Sequence, residues 1–196
     1  MTLFELAAVV ITLIGVWLTV RQVIWCWPFG IVGVTMYALV FHDARLYANM
    51  GLQVIYFSLS VYGWWAWLHG GKDHGKLEVS LGSWRLRAWL LVIGGALAVV
   101  LGLTLYRFTD ASVPFLDSAL TSFSLVAQWM LTRKLLENWI IWITVDVFYV
   151  GMFVSQRLYL TAGLYFAFLL MASMGFVEWR RSMPPPFKTS IEEVAT

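Results

Sequence analysis

The sequence predicts an all-α integral membrane protein with seven transmembrane helices, arranged as two parallel three-helix bundles joined by a linker helix (3+1+3). Of its 196 residues, 61% are hydrophobic and 12% are charged, and the mean hydropathy is +0.78. Soluble domains carry roughly 25% charged residues. Polar residues cluster in short segments between long apolar runs, which is typical of a helical bundle and not of an outer-membrane barrel. Composition and the clustering of polar residues are two observations that support this fold class, and an internal repeat is the third.

The predicted spans are seven apolar stretches separated by short, charged connections. The shortest are near the lower limit for crossing a bilayer. The first stretch is too long for a signal peptide, has no basic residue before it and is followed by further spans, so we expect no cleavable signal. The stretches cover residues 4–20, 27–42, 48–68, 85–106, 115–132, 138–154 and 159–179.

The distribution of basic residues between these spans predicts the orientation. One side of the membrane carries ten lysines and arginines and the other carries three. By the positive-inside rule, the N-terminus is outside and the C-terminus is cytoplasmic. The three are Arg45, Arg107 and Arg157, and the ten are Arg21, Lys72, Lys76, Arg85, Arg87, Arg133, Lys134, Arg180, Arg181 and Lys188.

An internal repeat relates the first three spans to the last three. Shifting the sequence by 112 residues, without a gap, superimposes tryptophans, arginines and glycines that apolar composition alone does not explain. The two units are four spans apart, so they cross the membrane in the same direction as a parallel repeat. The matched pairs include Trp17/Trp129, Arg21/Arg133, Trp27/Trp139, Tyr37/Tyr149, Phe41/Phe153, Arg45/Arg157, Gly63/Gly175 and Trp67/Trp179.

The repeat sets the predicted organisation of the chain. Residues 1–68 form the first bundle, 69–114 a cytoplasmic loop and linker helix, 115–181 the second bundle, and 182–196 a disordered cytoplasmic tail. The linker helix carries Gly94, Ala98 and Gly102 at steps of four, which predicts a close-packing face. The tail has three consecutive prolines and then an acidic end, so it cannot bury a core.

The strongest candidate for a ligand site is the one acid in the sixth span, Asp146. On a helix, it shares one face with Trp139, Trp142, Tyr149 and Phe153. An ionised carboxylate at the centre of a membrane costs roughly 2.5–3.5 kcal/mol and marks a functional site by default. The surrounding rings favour a flat, cationic ligand. The alternative is a neutral or hydrogen-bonded Asp that ties two helices together.

The polar groups are not symmetric between the repeats, as an asymmetric ligand on a pseudo-two-fold axis requires. Other polar side chains form stripes on the third and fifth spans, where Asn and Gln amides suit a carboxamide or sugar hydroxyls, or alternatively bond neighbouring helices. In the fifth span, Asp117 and Ser124 are expected to be structural, Asp117 as a helix cap. Unequal pairs are Val34/Asp146, Asn49/Thr161 and Gln53/Tyr165. The complete set of substrate-binding candidates is Asn49, Gln53, Tyr56, Gln128, Trp139, Trp142, Asp146, Tyr149 and Tyr165.

Other features point to no cofactor, metal or nucleic acid. The histidines, His42, His69 and His74, lie far apart at span ends or in loops, without metal-ligand spacing. A single cysteine, Cys26, excludes an internal disulfide. Tryptophans at span ends are expected to anchor the protein at the membrane interface. These are Trp25, Trp67, Trp84 and Trp179.

Six short segments closely resemble the PnuC family of bacterial vitamin transporters. The resemblance covers nearly the whole chain. It implies uptake of nicotinamide riboside by facilitated diffusion across the bacterial inner membrane, with phosphorylation in the cytoplasm maintaining inward flux. It also implies a fold like that of the SWEET sugar transporters and a homotrimer. The segments are Leu46-Tyr47-Ala48, Leu52-Gln53-Val54, Tyr62-Gly63-Trp64 with Trp67, Asp117-Ser118, Thr132-Arg133-Lys134, and Glu137-Asn138-Trp139 with Trp142.

By the same resemblance, ligand contacts fall on Gln53, Trp142 and position 146. Some nicotinamide riboside carriers have Asn at the last position, where this chain has Asp146. Relatives of the same fold carry thiamine or riboflavin. A carboxylate suits a cationic ring and disfavours neutral riboflavin, but nicotinamide riboside and thiamine are both cationic, so thiamine or another vitamin stays an alternative cargo.

Three functional classes other than a transporter make different demands on the sequence. A retinal-based receptor needs a lysine in its last span. The lysines of this chain all lie outside the predicted spans, which disfavours this class. They are Lys72, Lys76, Lys134 and Lys188. An intramembrane enzyme needs a nucleophile with a base, or clustered metal ligands, and the spans carry neither, so we expect no enzyme. A ligand-gated channel or membrane receptor stays open as an alternative from a different class.

Overall fold

The computed structural model describes residues 3–43, 45, 47–71, 75–108 and 113–183. The predicted tail from residue 184 onward lies outside the described residues. Within them the protein is all-helical. The helices are α1 (Leu3–Val20), α2 (Cys26–Asp43), α3 (Tyr47–His69), α4 (Trp84–Phe108), α5 (Pro114–Thr132), α6 (Asn138–Ser155) and α7 (Tyr159–Ser182).

The helix bounds follow the predicted spans closely, with the largest difference at the end of α7, which continues to Ser182 instead of residue 179. By length and apolar composition, three of the described helices can cross a membrane: α4, α6 and α7. A shorter apolar helical stretch, Leu6–Val20, lies within α1.

Six of the helices form a closed ring, and α4 lies outside it. The main contacts run from α1 to α2, α3, α5, α6 and α7, and then back from α7 to α1. The remaining helix, α4, packs on α5. The first and last helices of the chain therefore close the ring together.

The predicted close-packing face of α4 is confirmed, and its partner is α5. A Cβ atom at Gly94 would lie 2.9 Å from the Phe123 ring, and one at Gly102 would lie 2.6 Å from the Phe115 ring. Both distances are shorter than van der Waals contact. Small residues on α4 therefore make room for phenylalanine rings of α5.

One end of the ring is closed by four buried tryptophans, which we call the tryptophan cap: Trp27, Trp67, Trp139 and Trp179. Their exposed fractions are between 0% and 3%. The rings of Trp27 and Trp67 meet edge-to-face at 5.2 Å, and those of Trp139 and Trp179 do so at 5.3 Å. The two pairs join where Trp67 and Trp179 lie 5.8 Å apart.

The contacts of the cap recur at the 112-residue spacing. The Trp67 indole N–H donates to the Leu131 carbonyl, and the Trp179 indole N–H donates to the Thr19 carbonyl, both at 3.1 Å. Because each tryptophan donates to a helix of the other repeat, the cap cross-links the two repeats. The ring pairs Trp27–Trp67 and Trp139–Trp179 each lie within one repeat, and the two indole–carbonyl bonds join the repeats.

Glycines make room for the other two tryptophans of the cap. Trp27 lies over Gly63 and Trp139 lies over Gly175, where an added Cβ would overlap the indole ring. The two glycines are 112 residues apart, as are the two tryptophans. The same small-on-large packing is therefore built twice.

The interhelical turns repeat as well. Gln22 and Lys134 end the turns after α1 and α5 with φ of 55° and 49°, and Arg45 and Arg157 occupy the turns after α2 and α6 with φ of 59° and 60°. Left-handed backbone is uncommon for residues other than glycine. Its recurrence at matched positions shows that both repeats use the same turn.

Two of these turn residues bridge the repeats beside the cap. The Lys134 ammonium donates to the Gln22 side-chain oxygen at 3.3 Å and lies 4.4 Å from the centre of the Trp67 ring. Burial lowers the pKa of Lys134. The ring face and the amide oxygen partly replace the water that this cation has lost.

The expectation that Trp67 and Trp179 are interfacial anchors is wrong. Both are buried in the cap and use their indole N–H on a backbone carbonyl of the other repeat. Trp25 and Trp84 are 62% and 71% exposed, as an interfacial role requires. A tryptophan at a helix end can satisfy its N–H equally well in the headgroup region or inside a bundle.

The segment before α4 is held to the turn between α5 and α6. Ser80 pairs with the 134–136 backbone through its N–H and C=O, at 3.1 and 2.9 Å. The Glu137 carboxylate accepts from the Gly82 N–H at 3.0 Å and lies 3.5 Å from the Arg87 guanidinium. These contacts fix the start of α4 against the cap end of the ring.

Candidate functional site

Asp146 lies at the middle of α6, as the ninth of its 18 residues. It is 4% exposed, and within the described residues its carboxyl group has no hydrogen-bond partner. A buried carboxyl group without a partner is unfavourable unless a ligand or a proton compensates it. The structure therefore gives no support to the alternative in which Asp146 bonds two helices together.

Aromatic rings from α6 and α7 form one wall beside this acid. The rings of Tyr149 and Tyr165 are 4.6 Å apart, and Phe153 lies 5.2 Å from Tyr165. Phe168 meets Tyr165 edge-on at 5.9 Å. Both tyrosines lie close enough to Asp146 to interact with it electrostatically. The acid and the rings thus form one cluster.

Helices α3 and α5 supply the facing side chains. The Tyr56 hydroxyl faces Ser124 and lies near Tyr165, and the Tyr149 hydroxyl faces Thr121. Polar groups from both repeats therefore meet around Asp146. We call the full set the acid–tyrosine cluster: Tyr56, Asp117, Thr121, Ser124, Asp146, Tyr149, Phe153 and Tyr165.

A second acid in this cluster, Asp117, was assigned the wrong role from the sequence. It was expected to cap α5, but the N-cap residue is Val113, and no side chain caps this helix end. Asp117 instead lies near enough to Tyr149 and Tyr165 to interact with both. In the sequence, Asp117 shares one helical stripe with Thr121 and Ser124, and this spacing was the available signal that it faces the same cluster.

The structure separates Trp139 from Asp146. Trp139 lies in the tryptophan cap, about 10 Å along the helix from the acid at 1.5 Å per residue. Its indole N–H is buried and has no hydrogen-bond partner among the described residues, like that of its repeat mate Trp27. Trp142, one turn before Asp146, is partly buried and packs on the cap. Gln128 is half-buried on α5, one turn from Ser124 towards the cap.

The two candidates on α3 differ in their surroundings. Asn49 is exposed in the first turn of the helix, at the end opposite the cap. Gln53 lines an open cavity of about 230 Å³ between α2 and α3, together with Val34 and Phe57. Val34 and Gln53 occupy the positions that correspond to Asp146 and Tyr165 in the other repeat. The acid–tyrosine cluster therefore has no counterpart there.

Glu137 makes structural contacts that sequence reasoning missed, since its carboxylate holds the segment before α4 through Gly82 and Arg87. Its position in the repeat corresponds to Trp25, which is exposed. An acid at the start of a span, with no acidic repeat mate, was the available signal in the sequence. The side-chain oxygen of its neighbour Asn138 is buried and accepts no hydrogen bond from any residue that the structure describes.

Comparison with known proteins gives one family. A family model described as "Nicotinamide mononucleotide transporter" matches residues 2–181. The chain is 28% identical over 179 residues to the nicotinamide riboside transporter PnuC of Escherichia coli, covering 79% of this chain and 75% of that protein. It is 24% identical over 142 residues to the riboflavin/roseoflavin transporter RibM of Streptomyces davaonensis, covering 70% and 66%.

A solved structure shows the same fold. The crystal structure of the vitamin B3 transporter PnuC matches with a TM-score of 0.69 at 20% sequence identity, covering 89% of this chain and 79% of that one. The family and its structural neighbour are transporters and not enzymes, in agreement with the expectation from the sequence.

Proposed function

Because the chain belongs to the nicotinamide mononucleotide transporter family, we propose that it is a uniporter that carries nicotinamide riboside across the bacterial inner membrane. Transport is by facilitated diffusion, and phosphorylation in the cytoplasm traps the vitamin. The similarity to PnuC of Escherichia coli supports this cargo. The observation that carries the proposal is the buried carboxyl group of Asp146, which has no hydrogen-bond partner among the described residues, beside the Tyr149 and Tyr165 rings that lie 4.6 Å apart.

The proposed site is the acid–tyrosine cluster. A cationic pyridinium ring would offset the charge of Asp146 while stacking on the tyrosines. Tyr56 and Gln128, on the facing helices, would receive the polar parts of the ligand, and the resemblance adds Gln53 and Trp142. Trp139 belongs to the cap in this proposal, and the exposed Asn49 lies at the entrance. A neutral isoalloxazine ring, as in riboflavin, has no positive charge to offset that of a carboxylate.

The proposed architecture is two parallel three-helix bundles, α1–α3 and α5–α7, with α4 as the linker and all seven helices crossing the membrane. The recurrence of cap and turn contacts at the 112-residue spacing supports it. The described arginines in the larger basic group lie at the cap end, which would therefore face the cytoplasm, with the N-terminus outside. The homotrimer is an expectation from the resemblance.

The cap is the proposed cytoplasmic gate. Its rings and its two indole–carbonyl bonds close the ring at one end, so the ligand reaches Asp146 from the opposite end. Release of the ligand to the cytoplasm then requires that the hydrogen bonds from Trp67 to the Leu131 carbonyl and from Trp179 to the Thr19 carbonyl break. In a parallel repeat, both bonds can break in one symmetric movement.

The test combines binding and transport. Purified protein is titrated with nicotinamide riboside, thiamine and riboflavin by calorimetry, and uptake is then measured in proteoliposomes with and without an ion gradient. We expect binding and saturable uptake of nicotinamide riboside, unaffected by the gradient. Binding of thiamine alone would change the cargo, and non-saturable flux would favour a channel. Binding without flux would favour a receptor.

A further inference from the structure

A groove of about 390 Å³ opens between α1 and α7 near the cap end, away from the acid–tyrosine cluster. Its walls are mainly apolar, and its mouth is charged. Neighbouring apolar residues on both helices are exposed, including Ile14 at 39% and Leu170 at 50%. The groove therefore opens onto the surface that faces lipid chains. Its lining is Trp17, Val20, Arg21, Ser173, Met174, Val177, Glu178 and Arg181.

The mouth of the groove carries more positive than negative charge. Arg21 and Glu178 form one contact of 3.5 Å, and both side chains are largely exposed. Arg181 makes no ion pair with any residue that the structure describes. One carboxylate thus faces two guanidinium groups. Guanidinium groups bind phosphate oxygens in a bidentate manner.

The repeat provides an internal comparison, because the equivalent surface lies between α5 and α3. There Tyr62 and Trp65 stand at the positions of Met174 and Val177. Their rings stack at 6.2 Å, and His69 stacks on Trp65 at 5.9 Å. Arg133, the mate of Arg21, donates to the Tyr62 hydroxyl at 2.9 Å. Aromatic side chains thus satisfy the arginine and cover the surface in one repeat, and smaller residues leave a groove in the other.

We propose that this groove binds one anionic glycerophospholipid. An acyl chain lies along Trp17, Met174 and Val177, and the phosphate lies between Arg21 and Arg181. Charge complementarity and the opening towards lipid favour this occupant. Basic pockets between transmembrane helices bind anionic headgroups for the same reason.

The experiment is native mass spectrometry of the full chain in mild detergent, titrated with phosphatidylglycerol or phosphatidylcholine of the same acyl chains. We expect the protein to bind phosphatidylglycerol at least tenfold more tightly. Arg21→Gln combined with Arg181→Gln should remove at least tenfold of this affinity. The matched control, Arg133→Gln, should stay within twofold of the unmodified protein.

A second variant tests the groove without altering its charge. Met174→Tyr combined with Val177→Trp copies the side chains of the other repeat and should abolish the preference for phosphatidylglycerol. If that variant does not fold, as judged by its melting temperature, the arginine variants decide alone. Equal binding of both lipids, or an equal loss in Arg133→Gln, would overturn the proposal. A changed number of subunits in either variant would also overturn it, since the groove would then be a contact between copies of the chain.

Discussion

The tryptophan cap and the acid–tyrosine cluster are built from the same duplicated helices, yet they treat the repeat in opposite ways. In the cap, the two indole–carbonyl bonds are both 3.1 Å long, and the two edge-to-face ring distances differ by 0.1 Å (5.2 and 5.3 Å). In the cluster, Asp146 and Tyr165 correspond in the repeat to Val34 and Gln53, which are different kinds of residue. The scaffold is symmetric where the bundle closes and asymmetric where a ligand would lie.

The comparison separates the residues that the two repeats share from the residues that differ between them. Tyr37 stacks on Phe41 at 6.1 Å, much as Tyr149 stacks on Phe153 at 5.9 Å. The aromatic pair was thus retained in both repeats. What distinguishes the second repeat is an added charge and a third ring, Tyr165. Substitutions at repeat-related positions can therefore separate scaffold from site.

The largest effect is expected at the most asymmetric position. Asp146→Ala should weaken nicotinamide riboside binding at least 100-fold, about 2.8 kcal/mol, because it removes the buried acid that we propose to offset the charge of a cationic ring. Val34→Ala, at the related position, should change affinity by less than about threefold. Calorimetry on both variants measures this, and equal effects would refute the asymmetry.

The next effect is expected in the cap and should be symmetric. Gly63→Ala and Gly175→Ala each force a Cβ against an indole ring, so each should cost about 1–3 kcal/mol of stability by overpacking. The controls are Gly51→Ala and Gly163→Ala, which have open space at the same helix pair and should be neutral or slightly stabilising. Thermal unfolding compares the four variants, and a large difference between the two cap variants would contradict the proposed equivalence.

A smaller effect is expected from the third ring of the cluster. Tyr165→Leu should lower ligand affinity by about 3–10-fold, because an aromatic pair is worth roughly 0.5–1.5 kcal/mol beyond its buried area. Phe41→Leu removes a ring from the retained pair in the first repeat and serves as the control, with affinity expected to be nearly unchanged. Titration of both proteins with nicotinamide riboside distinguishes them. A loss in the control as large as in Tyr165→Leu would show that the rings act only through packing.

The smallest effect is expected for the hydrogen bond beside the cap between Lys134 and Gln22, which are repeat mates with different side chains. A double-mutant cycle of Gln22→Met and Lys134→Met should give a coupling of about 0.5 kcal/mol, the lower end of the net value of a hydrogen bond, because 3.3 Å is long for a bond from an ammonium group. Thermal unfolding of the two single variants and the double variant measures it. Zero coupling would mean that Lys134 is held by the Trp67 ring alone.

Much of the fold was predictable because the repeat is visible in chemically distinctive residues. Tryptophan, arginine and glycine recur at matched positions, and the helix bounds follow from apolar runs between charged turns. The burial of Trp67 and Trp179 was not predictable from those runs, because a helix end places a tryptophan equally near lipid headgroups and a neighbouring helix. The pairing of each glycine with a tryptophan 36 residues earlier was a usable signal (63 − 27 and 175 − 139).

The residues that lie together in the candidate site were predictable in part. Asp146 and its rings follow from helical spacing on α6, but the approach of Asp117 depends on how α5 packs against α6 and α7. Helix-face arguments place residues on one stripe and give no information on which neighbouring helix that stripe meets. This is also why Trp139 and Asp146, on one face of one helix, belong to different clusters.

The closure of the ring has a consequence for biogenesis. The Trp179 indole donates to the Thr19 carbonyl, and α1 has α7 as its second neighbour. Because α1 precedes α7 in the chain, the contacts of α1 stay incomplete until α7 has been synthesised. Until Trp179 has been synthesised, the nascent bundle is an open arc with one unsatisfied seam.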